Sequence, residues 1–392
     1  MDLSRLVSAR ARAVDASRIR RVFELARTLK DPINLSIGQP DFPVPEPIRR
    51  AAIAAIERGD NGYTVTQGIE PLRQAITRRL GDELGWSIGS ETGLLVTTGT
   101  SGALMLAALV LLDPGDDIII PDPYFVMYPQ LATLTGGKAV YCPTGPDFRL
   151  TASRVEPLIT ARTKAVVLCS PGNPTGVVCT QAECRDLLEL CRSRGIMLIS
   201  DEIYDEFVFS DARTEPWATR SEARACPSPA REPGASANVL LVRGFGKTYG
   251  LTGWRMGYAA GPHWLIEPMT RLQQFSYVNA PSIAQWGCVE AFGCDLSPIV
   301  AEYERRRDLV TRLLSPVTDV AVPGGAFYAY PRVPPALGLT GQQFIERCLQ
   351  HNVLVIPGNA FSREDTHIRI SFATDPTRLE QGVRIIADLM RG

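Results

Sequence analysis

Short runs with apolar groups on both faces restrict most sharply what this 392-residue chain can fold into. In a strand, successive side chains point to opposite faces, so Ile118-Ile119-Ile120 and Val166-Val167-Leu168 are apolar on both. Such strands belong in a sheet covered by helices on each side. Seven candidate strands, at 94–98, 117–121, 139–142, 165–169, 196–200, 239–243 and 257–260, alternate with helix-like segments between about residues 48 and 290. The pattern predicts an α/β layered fold around a mostly parallel, seven-stranded sheet.

After about residue 295 the order changes. A charged helix (301–314) precedes short strands at 320–322 and 326–330, a helix at 341–350, strands at 353–356 and 367–372, and a final helix at 376–390. This predicts a smaller α+β unit. The segment 211–237, rich in Pro, Ala, Arg and Ser, reads as a long exposed loop. Apolar spacing over 19–29 predicts a helix near the N-terminus.

Composition narrows the partners. With 45% hydrophobic and 21% charged residues the chain can bury a large core, and its net charge of −1 offers no bulk attraction to nucleic acid or membrane. The longest apolar run, 103–112, falls short of the roughly 18–20 residues that a membrane span needs. The Arg-rich N-terminus hints at a transit peptide, but Asp2, Asp15 and Glu24 argue for a folded segment and a cytoplasmic address. Nine cysteines without a CxxC pair read as reduced core thiols, and no metal site is expected.

Only four lysines occur, and Lys247 stands in a Gly-rich apolar stretch just before Gly253-Trp254-Arg255-Met256-Gly257. A nucleophilic lysine needs a lowered pKa, which burial supplies by disfavouring the ammonium. Glycines around it admit a flat group close to the backbone, and Arg255 offers a fork of donors suited to a phosphate. A surface lysine in a turn fits the same residues. Gly246-Lys247-Thr248 also matches the end of a P-loop, but the first glycine of that motif should fall at Leu241. The match fails there.

Four further segments carry possible chemistry. Asn173, in Ser170-Pro171-Gly172-Asn173-Pro174-Thr175-Gly176, follows a strand at the place where parallel sheets bind ligands. A plain turn is the alternative. Asp201 and Tyr204 follow the next strand, where a carboxylate can pair with a ring nitrogen or simply cap a helix. Gly99, Thr100 and Ser101 open a helix whose free N–H groups suit a phosphate, although many helices begin so without a ligand. Arg369 shares a strand face with His367 and Ser371 and needs an anion, either a substrate carboxylate or a structural salt-bridge partner.

Taken in order, Gly38-Gln39-Pro40-Asp41-Phe42, Tyr63, Gly99, Asn173-Pro174-Thr175-Gly176, Asp201-Glu202-Ile203-Tyr204, Lys247 with Arg255, and Arg369 carry a family likeness. They closely resemble the class I/II aminotransferases, which are pyridoxal 5′-phosphate (PLP) enzymes of fold type I. The resemblance implies that Lys247 carries PLP as a Schiff base and serves as general acid and base. It implies that Asp201 pairs with the pyridinium nitrogen, that Asn173 and Tyr204 bond the phenolic oxygen, and that Phe125 stacks on the ring. Gly99, Thr100, Ser101 and Arg255 would hold the phosphate, joined by Tyr63 from a second subunit. Arg369 would grip the substrate α-carboxylate, helped by the backbone of Gly38 and the side chain of Asn173.

The resemblance also implies a large PLP-binding domain (46–290), a small C-terminal domain (291–392) joined by an N-terminal arm (1–45), a homodimer with shared active sites, and a cis Asn173–Pro174 peptide. Two departures stand out: Gly246 replaces a residue that is often Ser in relatives, and 211–237 has no clear counterpart. The implied reaction moves an amino group from an amino acid to a 2-oxo acid. A PLP-dependent β/γ-eliminating lyase would use the same lysine. A ligand sensor on this fold carries a helix-turn-helix module, for which the roughly 35 residues before Leu35 leave little room. No second cation for a dicarboxylic substrate can be assigned from spacing, so a monocarboxylic or broad donor range is expected.

Overall fold

The computed structural model describes residues 3–14, 29–213 and 226–392. A two-residue strand, Ile33–Asn34 (β1), precedes the central sheet. That sheet contains Thr92–Thr98 (β2), Asp117–Asp122 (β3), Lys138–Pro143 (β4), Thr163–Cys169 (β5), Met197–Asp201 (β6), Val239–Gly244 (β7) and Met256–Pro262 (β8). Their order across the sheet is β2-β8-β7-β6-β5-β3-β4. Strand β8 runs antiparallel to both neighbours, and every other pair is parallel. All seven predicted strands are present.

The pleat divides the side chains of the sheet between two cores. Val96, Ile119, Val166, Leu168, Leu198 and Leu241 enter one. Leu95, Ile118, Ile120, Val167, Ile199 and Leu240 enter the other. None of these twelve is more than 2% exposed, so both faces are fully covered. At about 1.5–3 kcal/mol per buried aliphatic side chain, this double layer is a leading stabilising contribution. The helices are punctuated by their own ends: Thr180 and Glu183 form a reciprocal capping box for Gln181–Arg194, and Gly195 closes it at φ 64°.

A separate core is built mainly from residues beyond 296, joined by Ile33, Leu35, Tyr204, Phe207 and Phe209. There the helices Ser297–Leu314, Gly341–Gln350 and Pro376–Arg391 accompany Tyr328–Ala329 (β9), Val353–Leu354 (β10), Ile356–Pro357 (β11) and Ile368–Ser371 (β12). Strand β1 pairs in parallel with β10, which ties the N-terminal segment to this unit.

Three expectations need correction. Residues 320–322 form no strand; Val322 is 54% exposed and no neighbouring strand meets it, so its β-propensity finds no ladder. The single strand expected at 353–356 is two, because the chain leaves β1 at Leu354 and joins β12 from Ile356. Within 211–237, residues 226–231 are not an exposed loop. Cys226, Ala230 and Ala235 are buried, and Trp86 Nε1 donates to the Ala230 carbonyl at 2.9 Å. Arg231 reaches Glu83 at 3.3 Å, within a buried ionic cluster that also holds Arg79, Arg243 and Glu202. Burial opposes the ionised form of Glu83, yet Arg243, Arg79 and Arg231 hold its carboxyl well below the usual range. The polar composition of the segment concealed a buried arginine with a matched partner. The helix expected over 19–29 lies almost wholly outside the described residues.

Candidate active site

Because β8 reverses between β2 and β7, the carboxyl ends of β2, β3, β5, β6 and β7 share one edge of the sheet. The candidate residues follow those ends. Strand β6 finishes on Asp201, which is 2% exposed and accepts a hydrogen bond from Tyr128 Oη at 2.7 Å. Burial pushes its carboxyl up to about 6, against the pull of the Tyr128 bond, and among the described residues no cation offsets that burial. A buried carboxylate without a protein cation is suited to a positively charged ring.

After β7, the single turn Phe245–Thr248 presents Lys247. Its amine donates to the carbonyl of Gly38. Burial, followed by the charges of Arg369 and Arg255, lowers its pKa to about 8. Lys247 lies within reach of the charges of both arginines, and the lysine is the member of the three that can yield its proton. The surface-turn alternative therefore fails.

Strand β2 leads directly into the helix Gly99–Leu111. At Gly99, with φ 68°, an added Cβ would lie 2.8 Å from a guanidinium nitrogen of Arg255. At Gly257 a Cβ would stand 2.7 Å from both the carbonyl carbon of Gly99 and the amide nitrogen of Thr100. These two glycines let Arg255 and the start of β8 close on the amino end of the helix, where N–H groups are free. Arg255 itself holds φ 58°, uncommon for a residue with a Cβ. Gly257→Ala is expected to cost about 1–3 kcal/mol, because only backbone can give way. A chemical-denaturation midpoint equal to that of the natural chain would show that the close approach is not needed.

The loop after β5 holds Asn173, which precedes Pro174 through a cis peptide, as the family likeness implied. Its Oδ1 accepts from Arg369 Nη1 at 3.1 Å, while Arg369 Nη2 donates to the Ser36 carbonyl at 2.7 Å. The rings of Tyr328 and Phe361 each lie 4.6 Å from the guanidinium carbon. Arg369 Nε is buried with no partner, and among the described residues no carboxylate pairs with this side chain. Among the described residues Arg369 therefore makes no salt bridge, and its Nε keeps an unused donor.

Phe125 is half-buried and meets Tyr128 edge-on at 5.7 Å. Tyr204 is buried, and its hydroxyl lies 3.0 Å from that of Tyr328. Thr100 and Ser101 occupy the first turn of the helix beside Arg255. Tyr63 stands apart, 88% exposed on the surface of its own chain. Two residues that sequence reasoning missed, Tyr128 and Tyr328, touch the predicted ones directly. Tyr128 lies three positions beyond Phe125, and Tyr328 follows Gly324-Gly325-Ala326-Phe327, so each sat next to a segment already in view.

A buried, readily deprotonated amine, a buried carboxylate and a guanidinium short of an anion make a site for amine–carbonyl chemistry on an organic acid. The comparisons agree. Residues 30–386 match the family model described as aminotransferase class I and II. The chain is 37% identical to an aspartate/prephenate aminotransferase of Cereibacter sphaeroides, over 90% of this chain and 89% of that one. It is 32% identical to aromatic-amino-acid aminotransferase 2 of Thermococcus litoralis, over 96% of each. A solved double mutant of Thermus thermophilus aspartate aminotransferase superposes with a TM-score of 0.87 at 34% identity, covering 98% of this chain and 99% of that one. The chain belongs to the class I and II aminotransferases and is an amino-group transferase. Nothing in these findings favours the eliminating alternative.

Proposed function

We propose that this chain exchanges an amino group between an amino acid and a 2-oxo acid with PLP held at Lys247. The observation that carries the reading is that Lys247, which feels the charges of Arg369 and Arg255 and donates to the Gly38 carbonyl, follows a strand end on the same sheet edge as the buried Asp201. The residues present fit the cofactor. Asp201 lacks a cation, Arg255 closes on free helical N–H groups across Gly99, and Phe125 offers an aromatic face at the same edge. Bound there, PLP supplies an aldehyde and an electron-withdrawing ring that eases ionisation of the amino acid Cα–H bond.

The chain does the rest. Lys247 Nζ would hold the cofactor in its neutral amine form and would take up and return the proton of the substrate Cα. Asp201 would hold a positive ring nitrogen, Tyr204 and Asn173 would bond the ring oxygen, and Thr100, Ser101 and Arg255 would hold the phosphate. Arg369 fixes the α-carboxylate beside the Gly38 backbone and Asn173. The division at 1–45, 46–290 and 291–392 lets the C-terminal unit close on substrate and exclude water.

A second copy completes the assembly in this reading. Tyr63 and Phe275 are each 88% exposed, and Gln273 Nε2 ties their regions together by donating to the Thr66 carbonyl at 2.8 Å. Their apolar surface suits a subunit partner. Nine free thiols, seven of them buried, support a reducing, cytoplasmic setting. Among the described residues no helix is long and apolar enough to cross a membrane.

Borohydride treatment of protein loaded with PLP, followed by peptide mapping, tests the reading; an adduct on Lys247 is expected. Capture of the aldehyde should accelerate as pH rises through about 8 and level off above it, because the free amine is the reactant. A colourless protein with no adduct at Lys247 would overturn it. A midpoint near the ordinary lysine value would show that the amine is not desolvated.

A further inference from the structure

The geometry points to Tyr328 as a positioning residue that serves both halves of the site, holding the carboxylate anchor Arg369 with its ring and Tyr204 with its hydroxyl. The inference rests on the function proposed above. Tyr328 is 1% exposed and sits in β9, paired with Ser371 of β12, two positions from Arg369. Its ring face lies 4.6 Å from the Arg369 guanidinium carbon, and Phe361 lies at the same distance. Neither ring accepts the pair of N–H hydrogen bonds that a carboxylate would accept, so the guanidinium is held in place while its donors stay available.

The other end of Tyr328 meets the other half of the site. Its hydroxyl lies 3.0 Å from that of Tyr204 and is crowded by Gly38, where an added Cβ would come within 2.8 Å. The same Gly38 presents its carbonyl to Lys247. One tyrosine thus touches the carboxylate anchor, the residue assigned to the ring oxygen and the backbone that receives the lysine amine. When Tyr204 turns its own hydrogen toward the site, Tyr328 becomes the donor of the pair, which strengthens Tyr204 as a donor in turn. The titratable groups facing Tyr328 are Arg369, Tyr204 and Cys169.

Phe361 shares the first task but not the second, and this separates the two by experiment. Three variants, Tyr328→Phe, Tyr328→Leu and Phe361→Leu, are compared by two measurements on the PLP-loaded enzyme. The first is the calorimetric Kd for succinate and 3-phenylpropanoate, amino-free acids that probe the Arg369 anchor without reaction. The second is the pH midpoint of the visible absorption band. Tyr328→Phe should keep Kd within about threefold and move the midpoint upward by about half a unit. Phe361→Leu should weaken Kd by about five- to tenfold and leave the midpoint in place. Tyr328→Leu should do both.

Variants at Tyr328 that leave Kd and midpoint at natural values overturn the proposal. So does a Phe361→Leu variant that moves the midpoint as far as Tyr328→Phe does. If the natural enzyme shows no visible band, or binds neither acid, the underlying assignment of the site fails instead. The two failures are therefore distinguishable.

Discussion

Replacing Lys247 with Ala is expected to lower the rate of amino transfer by about a thousandfold or more. The amine is assigned two tasks, attachment of the aldehyde and proton transfer during the exchange, and alanine can do neither. Stability should move the other way. Burial and the neighbouring Arg369 and Arg255 lower the folded-state pKa to about 8, below the ordinary 10.5 that the unfolded chain keeps. Below the folded value both states carry the proton, and the folded state bears the whole cost of a buried ammonium. As pH rises from about 8 toward 10.5 the unfolded chain binds more protons, so the natural, cofactor-free protein gains stability across that window. The variant has no such group and should lose that part of the slope. Denaturation curves at pH 7 and pH 10, natural chain against variant, read the difference directly. A variant less stable than the natural chain at pH 7 would mean that Lys247 is a structural residue.

The central sheet was legible because burial on both faces leaves an unmistakable apolar signature. Ile118, Ile119 and Ile120 have no solvent side, so nothing interrupts their run. The catalytic edge was legible for a related reason: Asp201, Asn173 and Lys247 each follow such a run within a few residues. What stayed hidden depends on partners distant in the chain. Arg231 looks like a loop residue until Glu83, 148 positions away, meets it in the interior. Val320 and Val322 look like a strand because their β-propensity is local, whereas the absence of a neighbouring strand is not. Tyr128 and Tyr328 look like core aromatics and are so buried; their hydroxyl partners, Asp201 and Tyr204, give them a second role. In each case the side chain was readable and its partner was not.

Arg369→Leu is expected to lower kcat/KM by about 2–5 kcal/mol, roughly 30- to 5,000-fold, while leaving the empty protein as stable as before or more so. Both expectations come from one fact. The guanidinium is buried, and among the described residues its Nε has no partner and its hydrogen bonds reach only the Asn173 side chain and the Ser36 carbonyl. Burial lowers its pKa, with Tyr328 and Tyr204 offsetting part of the effect, so the fold bears the cost of a cation that no carboxylate among the described residues neutralises. In the proposed role a substrate carboxylate would remove that cost on binding, which would concentrate the affinity on the group that every amino acid and 2-oxo acid shares. Leucine abolishes cost and benefit together. Lysine at the same position should recover little activity, since a point charge cannot match two oxygens at once and the gap between Tyr328 and Phe361 fits a planar group. Paired measurements of kcat/KM and thermal midpoint decide the matter. If the leucine variant unfolds several degrees earlier yet keeps kcat/KM within about threefold, Arg369 supports the fold and the carboxylate is held elsewhere.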